Sequence, residues 1–299
     1  MEYRFSSAVA SFCEKTDIFT AMTLVRDAGF DSLDFPFGVY SIGYEPPLMQ
    51  DSWKTWIKEI RQKAQDLGLE ITQGHAAWLQ DIPSDFHYVS PEELYFRTIE
   101  AASILGCKHV IFHPIRLRER VDSLTVRQRI HDWNVRWFHE LIPAAEKFDV
   151  YINLENTFDS HRLQKPGDPL HPYTTAEDMI ALVRDLASDR IRICLDTGHA
   201  NNAGQDIPQM IRAFRSDLAT VHLNDNFGFL REGFSDLHLF PGEGNICWPP
   251  IFTALREIRF RGIMNIEPIA DLPVLSNSER LVRLVDGLTK LKGFANKTF

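Results

Sequence analysis

The stretch Ile193-Cys-Leu-Asp-Thr-Gly-His-Ala-Asn201 decides the fold. The largely apolar run Ile191–Leu195 predicts a buried strand, and it ends abruptly at Asp196. His199 follows three residues later. A carboxylate and an imidazole directly after a buried strand are typical of the C-terminal face of a (β/α)₈ barrel, where that fold keeps its chemistry.

The same pattern recurs along the whole chain, because short apolar runs alternate with longer amphipathic helical patterns. The predicted strands are Tyr3–Val9, Ser32–Phe35, Glu70–His75, His109–His113, Val150–Glu155, Ile191–Asp196, Leu218–Leu223 and Gly262–Glu267. Alternation of this kind predicts a parallel sheet, and eight units predict closure into a (β/α)₈ TIM barrel. We expect a single domain over residues 1–299, with a doubly wound open sheet as the structural alternative.

Composition narrows the class of protein. The chain has 299 residues, of which 44% are hydrophobic and 24% charged, as in ordinary globular domains. No run approaches the roughly 20 apolar residues that span a bilayer, and the start lacks the apolar core of a secretory signal. Four cysteines lie far apart without a CxxC pair, so we expect a cytoplasmic protein with no membrane partner. A net charge of −9 disfavours a nucleic-acid partner.

Metal-ligating residue types stand at or just beyond the ends of the predicted strands. They are His75, His113, Glu155, Asp196, His199, His222, Asp236, His238 and Glu267. In a barrel these points converge on one mouth, and imidazole nitrogens with carboxylate oxygens suit Mn²⁺, Zn²⁺ or Co²⁺. One strand-end histidine is more often structural than a ligand, but nine such residues in phase with eight strands predict a divalent metal site. Nine ligands exceed the needs of one ion, so they serve two or three ions or orient one another.

Several short motifs carry a family resemblance. They are Gly-His75-Ala-Ala-Trp-Leu, Phe-His113-Pro, Leu-Glu155-Asn-Thr, Leu-Asp196-Thr-Gly-His199-Ala, Val-His222-Leu-Asn-Asp, Asp236-Leu-His238 and Asn-Ile-Glu267. Together they resemble the xylose isomerase-like barrel superfamily over strands three to eight. That superfamily contains sugar and sugar-phosphate isomerases and epimerases, and also abasic-site nucleases of the endonuclease IV type.

For the ketose 3-epimerases, the resemblance implies one divalent ion and two catalytic carboxylates. The implied metal ligands are Glu155, Asp196, His222 and Glu267. Glu155 and Glu267 would exchange a proton on opposite faces of the substrate carbon while the metal stabilises an enediolate, and His199 would contact substrate oxygens.

The pattern departs from those epimerases at one position. They carry an arginine six residues after the histidine of strand seven, where this chain has Gly228; Arg231 is the expected substitute. We therefore expect His75, His113, Arg231 and Trp78 as further substrate-binding residues.

For the nuclease type, the resemblance implies three zinc ions held by all nine residues. The loops at 10–17 and 36–47 nevertheless contain one lysine and no arginine, which suits a small polar ligand better than a phosphate backbone. The sequence therefore predicts a metal-dependent isomerase or epimerase of a sugar, sugar phosphate or related polyol. A zinc-dependent abasic-site endonuclease, a keto-acid dehydratase on the same scaffold and a metal-retaining binding protein stay as alternatives. We expect a homo-oligomer only by analogy with the family.

Overall fold

Eight parallel strands close into a barrel in which each strand pairs with its neighbours in sequence order and the first pairs with the last. The computed structural model describes residues 3–13, 16–43, 45–79, 82, 88–115, 124–158, 171–228, 236–267 and 272–296. Helices on the outside of the barrel separate the strands, so the predicted (β/α)₈ TIM barrel is confirmed and the doubly wound open sheet is wrong.

The strands are β1 Phe5–Ala8, β2 Ser32–Phe35, β3 Glu70–His75, β4 His109–Phe112, β5 Tyr151–Glu155, β6 Ile191–Asp196, β7 Leu218–Leu223 and β8 Ile263–Ile266. Helices among the described residues are α1 Ala10–Cys13, α2 Ile18–Asp27, α3 Trp53–Leu67, α4 Pro91–Leu105, α5 Leu124–Phe148, α6 Ala176–Leu186, α7 Thr197–Asn202, α8 Ile207–Phe214, α9 Trp248–Glu257 and α10 Asn277–Asn296. Short 3₁₀ turns lie at Pro47–Met49, Arg215–Asp217 and Leu272–Val274. No helix among the described residues is both long and apolar enough to cross a bilayer.

Residues at the two ends of α4 fix where the helix begins and where it stops. The Ser90 side chain accepts a hydrogen bond from the Glu93 amide at 3.2 Å, which satisfies one of the free amides of the first turn. Pro91 occupies the first turn, where no amide donor is needed. Gly106 ends the helix with φ 86°, a left-handed conformation that glycine adopts without strain. Local sequence therefore determines where this helix begins and ends.

Polar side chains line the C-terminal half of the barrel interior. Side chains alternate between the two faces of a strand, so the residue two positions before a strand-end group shares its face. At four such positions the residue is polar and fully buried: Gln73, Asn153, Thr220 and Asn265. The apolar core instead lies mainly between the barrel and its helices. A polar layer thus supports the predicted site from below.

Candidate metal centre

The structure brings all nine predicted ligands to the C-terminal mouth of the barrel. Four of them end or nearly end a strand, namely His75, Glu155, Asp196 and His222, while His113 and Glu267 directly follow β4 and β8. His199 lies in α7, and Asp236 and His238 lie in the loop between β7 and α9. Each of the nine lies within 4.0 Å of another member of the set.

The short helix α7 was not predicted from the sequence, and it sets the geometry of the opening stretch. Asp196 caps this helix, and its Oδ1 accepts from the His199 amide at 2.6 Å. Its Oδ2 accepts from Asn224 Nδ2 at 2.5 Å. Glycine is required at position 198 because a Cβ there would lie 1.8 Å from Asn224 Oδ1. The Asp-Thr-Gly-His sequence therefore folds so that the Asp196 carboxylate is held from two sides.

Four residues form what we call the central cluster: His75, Glu155, His222 and Glu267. One ligand atom from each lies within 4.8 Å of all the others. Nδ1 of His222 lies 3.3 Å from Glu155 Oε1 and 3.4 Å from Glu267 Oε2. Nε2 of His75 lies 3.2 Å from Glu267 Oε1. Ligands about 2.0–2.1 Å from one tetrahedral ion are themselves about 3.3 Å apart, so these separations suit a shared cation.

The central cluster also passes a second test of fit. His75 Nε2, Glu155 Oε2 and Glu267 Oε2 are buried and have no aligned hydrogen-bond partner among the described residues. Buried polar atoms are nearly always paired, so three such atoms within one cluster indicate a missing partner. Imidazole nitrogen and carboxylate oxygen are ligands that a divalent transition metal accepts.

A second cluster lies beside the first and contains His199, Asp236 and His238. Asp236 Oδ2 lies 3.1 Å from His238 Nε2 and 3.8 Å from His199 Nε2. Asp196 belongs to further sets that share members with both clusters. Its Oδ2 lies 4.0 Å from Nδ1 of His222, so the ligand set implied by the resemblance is within reach, with Asp196 at its edge.

Charge at the mouth is balanced by imidazoles. Within the described part of the chain, every ion pair of Glu155, Asp196, Asp236 and Glu267 is with a histidine. Burial alone would raise the pKa of Glu267, but the imidazoles of His222 and His75 outweigh it and lower that pKa to about 2. Burial is the main cause that raises the pKa of the Asp196 carboxyl to about 6.

Two of the histidines, His75 and His199, show the opposite response, whereas burial lowers the pKa of His113 to about 4. Burial would lower the pKa of His75, but the carboxylates of Asp34 and Glu267 raise it to about 10. For His199, burial opposes the carboxylates of Asp196 and Asp236, which raise its pKa to about 9. The buried carboxylates are therefore stabilised by nearby positive charge, which either protonated imidazoles or a metal ion can supply.

Aromatic rings flank the two clusters. The Trp78 ring lies 3.9 Å from the His113 ring between centroids, and His113 Nε2 lies 2.9 Å from Glu155 Oε2. The Phe158 ring lies 4.6 Å from the His199 ring. Arg231, the expected substitute for the epimerase arginine, falls outside the described residues.

Sequence reasoning missed the residues that hold the ligands in place. Asp34 lies 2.8 Å from Nδ1 of His75, and Asn224 donates to Asp196. Asn156 donates to the backbone oxygen of Asp196 and accepts from its amide, at 3.1 and 2.6 Å. The alternation of side chains along β2 places Asp34 on the same face of the strand as Ser32. This alternation was the one feature of the sequence from which the direction of the Asp34 side chain could have been inferred.

Comparisons with known proteins agree with this geometry. Residues 22–290 match the family described as xylose isomerase-like TIM barrel. An uncharacterized protein of Methanocaldococcus jannaschii is 29% identical over 56% of this chain, and the match spans only 53% of that protein. The D-psicose 3-epimerase of Enterocloster bolteae is 25% identical over 83% of this chain and 75% of its own length.

Two further matches represent the zinc-binding and nuclease sides of the resemblance. A probable endonuclease 4 of Mesomycoplasma hyopneumoniae is 25% identical over 81% of both chains. The crystal structure of the IOLI protein with a bound zinc atom superposes with a TM-score of 0.75 at 18% identity, covering 99% of both chains. At that identity the superposition demonstrates the shared fold.

Proposed function

This chain belongs to the xylose isomerase-like TIM barrel family, and we propose that it is a metal-dependent isomerase or epimerase of a sugar, sugar phosphate or related polyol. The observation that carries the proposal is the pair Glu155 and Glu267. Both carboxylates flank Nδ1 of His222, and each has one oxygen with no aligned hydrogen-bond partner in the described part of the chain. A buried carboxylate oxygen whose neighbours are imidazoles is placed to exchange a proton.

The metal would be held by Glu155, Asp196, His222 and Glu267, with His75 completing the central cluster. Bound there, a divalent cation would supply positive charge for two neighbouring oxygens of the substrate as negative charge develops on them. Mn²⁺, Zn²⁺ and Co²⁺ all fit this set of nitrogen and oxygen donors.

The chain's own residues would then move the proton. One carboxylate of the pair Glu155 and Glu267 removes a proton from the carbon beside the carbonyl group. The other, which starts protonated, donates its own proton to the opposite face of that carbon and inverts it. Donation to the former carbonyl carbon, with the hydroxyl proton passing to the former carbonyl oxygen, shifts the carbonyl instead. The Glu155 side chain is 1% exposed and the Glu267 side chain 15% exposed, which limits the water that could compete for the proton.

Substrate recognition would come from the groups at the rim of the central cluster. His113 and His199 present imidazole nitrogens that can contact hydroxyl groups, and the rings of Trp78 and Phe158 form apolar walls beside them. Aromatic faces next to a few polar groups suit a small polyhydroxy ligand. The match to D-psicose 3-epimerase over most of both chains supports a ketose as the first substrate to test.

Proton exchange in heavy water tests the proposal directly. The protein, purified without chelator, is analysed for metal and then incubated with a panel of ketoses and ketose phosphates in D₂O. We expect at least one divalent ion per chain and NMR signals of deuterium incorporation beside the carbonyl of one substrate. The same spectra would reveal loss of water, the outcome that favours the dehydratase alternative. Absence of any bound divalent metal would contradict the proposal.

A second candidate function is favoured by the second cluster. His199, Asp236 and His238 could hold a further ion beside the first, as a zinc-dependent abasic-site endonuclease requires. A nicking assay on a duplex with one abasic site at low salt separates the two functions. Strand cleavage together with two or three zinc ions per chain would replace the isomerase proposal.

A further inference from the structure

We propose that Asp34 is a positioning residue of the metal site, which fixes the His75 ring so that Nδ1 carries the hydrogen and Nε2 faces Glu155 and Glu267. This inference rests on the proposed metal-dependent function. Asp34 belongs to none of the candidate ligand sets, and it acts through the histidine beside it.

One oxygen of Asp34 accepts hydrogen bonds from side chains of two other strands. Its Oδ2 lies 2.8 Å from Nδ1 of His75, and it accepts from Gln73 Nε2 at 2.7 Å and from Asn265 Nδ2 at 2.9 Å. The side chain is 1% exposed. The pairing of β2 with β3 shifts register between Leu33 and Asp34, an irregularity of the kind that re-aims a side chain. The carboxylate is thus held firmly from β3 and β8.

The contact with Asp34 determines the hydrogen position on His75. A carboxylate oxygen accepts hydrogen bonds, so Nδ1 of His75 must donate the hydrogen that joins them at 2.8 Å. In a neutral imidazole the lone pair then lies on Nε2. Nε2 lies 3.2 Å from Glu267 Oε1 and 3.6 Å from Glu155 Oε2, without a hydrogen-bond partner among the described residues. The lone pair therefore points to the place where both carboxylates converge.

A stabilising role alone does not account for a carboxylate at this position. A carboxylate buried without a lysine or arginine partner is costly, and an apolar side chain would be the cheaper choice inside a barrel. The ion pair that the described residues give Asp34 is with His75. Metal-bound histidines commonly donate their second ring hydrogen to a carboxylate, which orients the ring and strengthens it as a ligand. Asp34 and His75 have that arrangement.

The test compares Asp34→Asn with Asp31→Asn in the full chain. The Asp34→Asn substitution keeps the shape of the side chain but removes its charge. Asp31 lies just before the same strand, where its Oδ2 accepts from the Phe5 amide at 3.0 Å, far from the mouth. We expect Asp34→Asn to weaken Zn²⁺ or Mn²⁺ binding about 10- to 100-fold in a competition titration. Asp31→Asn should leave metal affinity unchanged, and equal metal affinity in all three proteins would overturn the proposal.

Two further readouts separate positioning from general structural support. In ¹⁵N NMR of the metal-free protein, recorded above the pKa of His75 of about 10 so that the ring is neutral, wild-type His75 should have its hydrogen on Nδ1, and Asp34→Asn should lose this preference. In a His75→Gln background, Asp34→Asn should weaken metal binding much less, because the residue it acts through is gone. Hydrogen on Nε2 in the wild type, or an undiminished loss in the His75→Gln background, contradicts the inference.

Failure of the proposed function would look different. A wild-type protein that binds no divalent metal removes the isomerase proposal, while the ring hydrogen of His75 still reports on Asp34. Conversely, metal binding and ketose turnover in the wild type, combined with unchanged metal affinity in Asp34→Asn, removes only the inference about Asp34. The ¹⁵N measurement on the wild type also stands if Asp34→Asn fails to fold.

Discussion

Carboxylates at the two ends of the barrel have different partners. At the N-terminal end, Asp149 pairs with Lys108 and, at 2.7 Å, with Arg190, and its side chain is 64% exposed. At the C-terminal end, Glu155 is 1% exposed and its ion pairs within the described part of the chain are all with histidines. Lysine and arginine carry a permanent charge, whereas an imidazole can exchange its proton for a metal. This difference supports the proposal that a cation binds at the C-terminal end.

The strand β4 repeats this contrast within a few residues. His109 begins the strand, where its ring stacks on Tyr151 at 5.2 Å and its Nδ1 lies 3.3 Å from Asn153 Oδ1. His113 follows the other end of β4 and faces Glu155. Its place at the start of the strand, away from the mouth, and these contacts both indicate a structural role for His109. Position along the strand, more than residue type, separates the two roles.

The largest effect should come from removing one of the carboxylates at the mouth. Glu267→Gln keeps the shape of the side chain but cannot take up a proton at neutral pH. At saturating metal we expect turnover to fall by about 10²- to 10⁴-fold, the usual contribution of a general acid or base. Asp149→Asn, the matched change at the other end, should turn over like the wild type. Full activity of metal-loaded Glu267→Gln would show that this carboxylate is not the acid or base.

Metal that binds at the C-terminal mouth should stabilise the folded protein. A ligand at 100 times its dissociation constant adds about 2.7 kcal/mol to the free energy of unfolding, because it binds the folded chain alone. We expect the melting temperature to rise on addition of Mn²⁺, Zn²⁺ or Co²⁺ and to fall again with a chelator. Glu155→Gln should lose most of this shift, and Asp149→Asn should retain it. A shift that survives in Glu155→Gln would place the ion elsewhere.

The sequence predicted which candidate ligands would meet at the mouth, because their positions depend on local patterns. A strand that ends in Glu155 or Asp196 must deliver that side chain to the mouth once the barrel closes. The contact between Asp34 and His75 could not be predicted, because it depends on how two strands align and on the register shift in β2. The helix α7 has six residues, too few for an apolar period to emerge. Local sequence patterns thus predict which candidate ligands reach the mouth. The residues that orient them are determined by tertiary packing and could not be predicted.

Asp225 lies at the same end of the barrel and accepts hydrogen bonds from four donors, and its substitution should have an effect of intermediate size. Asp225 Oδ1 accepts from the amides of Asn226 and Ile246, at 3.0 and 3.1 Å. Its Oδ2 accepts from the Gly242 amide at 2.9 Å and from Trp248 Nε1 at 3.0 Å. These bonds tie the loop after β7 to the start of α9, so Asp225 is structural although it lies near the mouth.

Asp225→Asn should therefore lower stability without removing the metal. The new amide nitrogen would face two N–H groups and leave them unsatisfied, which costs about 1–3 kcal/mol in the free energy of unfolding. Urea denaturation gives this cost, and metal analysis of the same sample gives the ion content. Unchanged stability would mean that donor satisfaction does not distinguish structural from ligating carboxylates here.

The smallest effect concerns His109 at the N-terminal end. Burial lowers the pKa of His109, and Arg192 adds to the effect. A histidine whose pKa is lower in the folded chain contributes stability above its unfolded pKa, about 6.5, and that stability is lost as pH falls through the folded pKa. Between pH 7 and pH 5 the free energy of unfolding of the wild type should thus fall by more than that of His109→Phe.

Urea denaturation in chelator at both pH values measures this difference, and His139→Gln on the exposed side of α5 is the matched removal of an imidazole. The sign of this difference in stability loss between the wild type and His109→Phe is what the experiment tests. His109 stacks on Tyr151, and no carboxylate of the described residues forms an ion pair with it, so added charge there opposes folding. At the mouth, the carboxylates of Asp34 and Glu267 raise the pKa of His75, so positive charge there supports folding. If His109→Phe lost more stability in acid than the wild type, imidazoles at the two ends would behave alike, and position along the strand would no longer separate their roles.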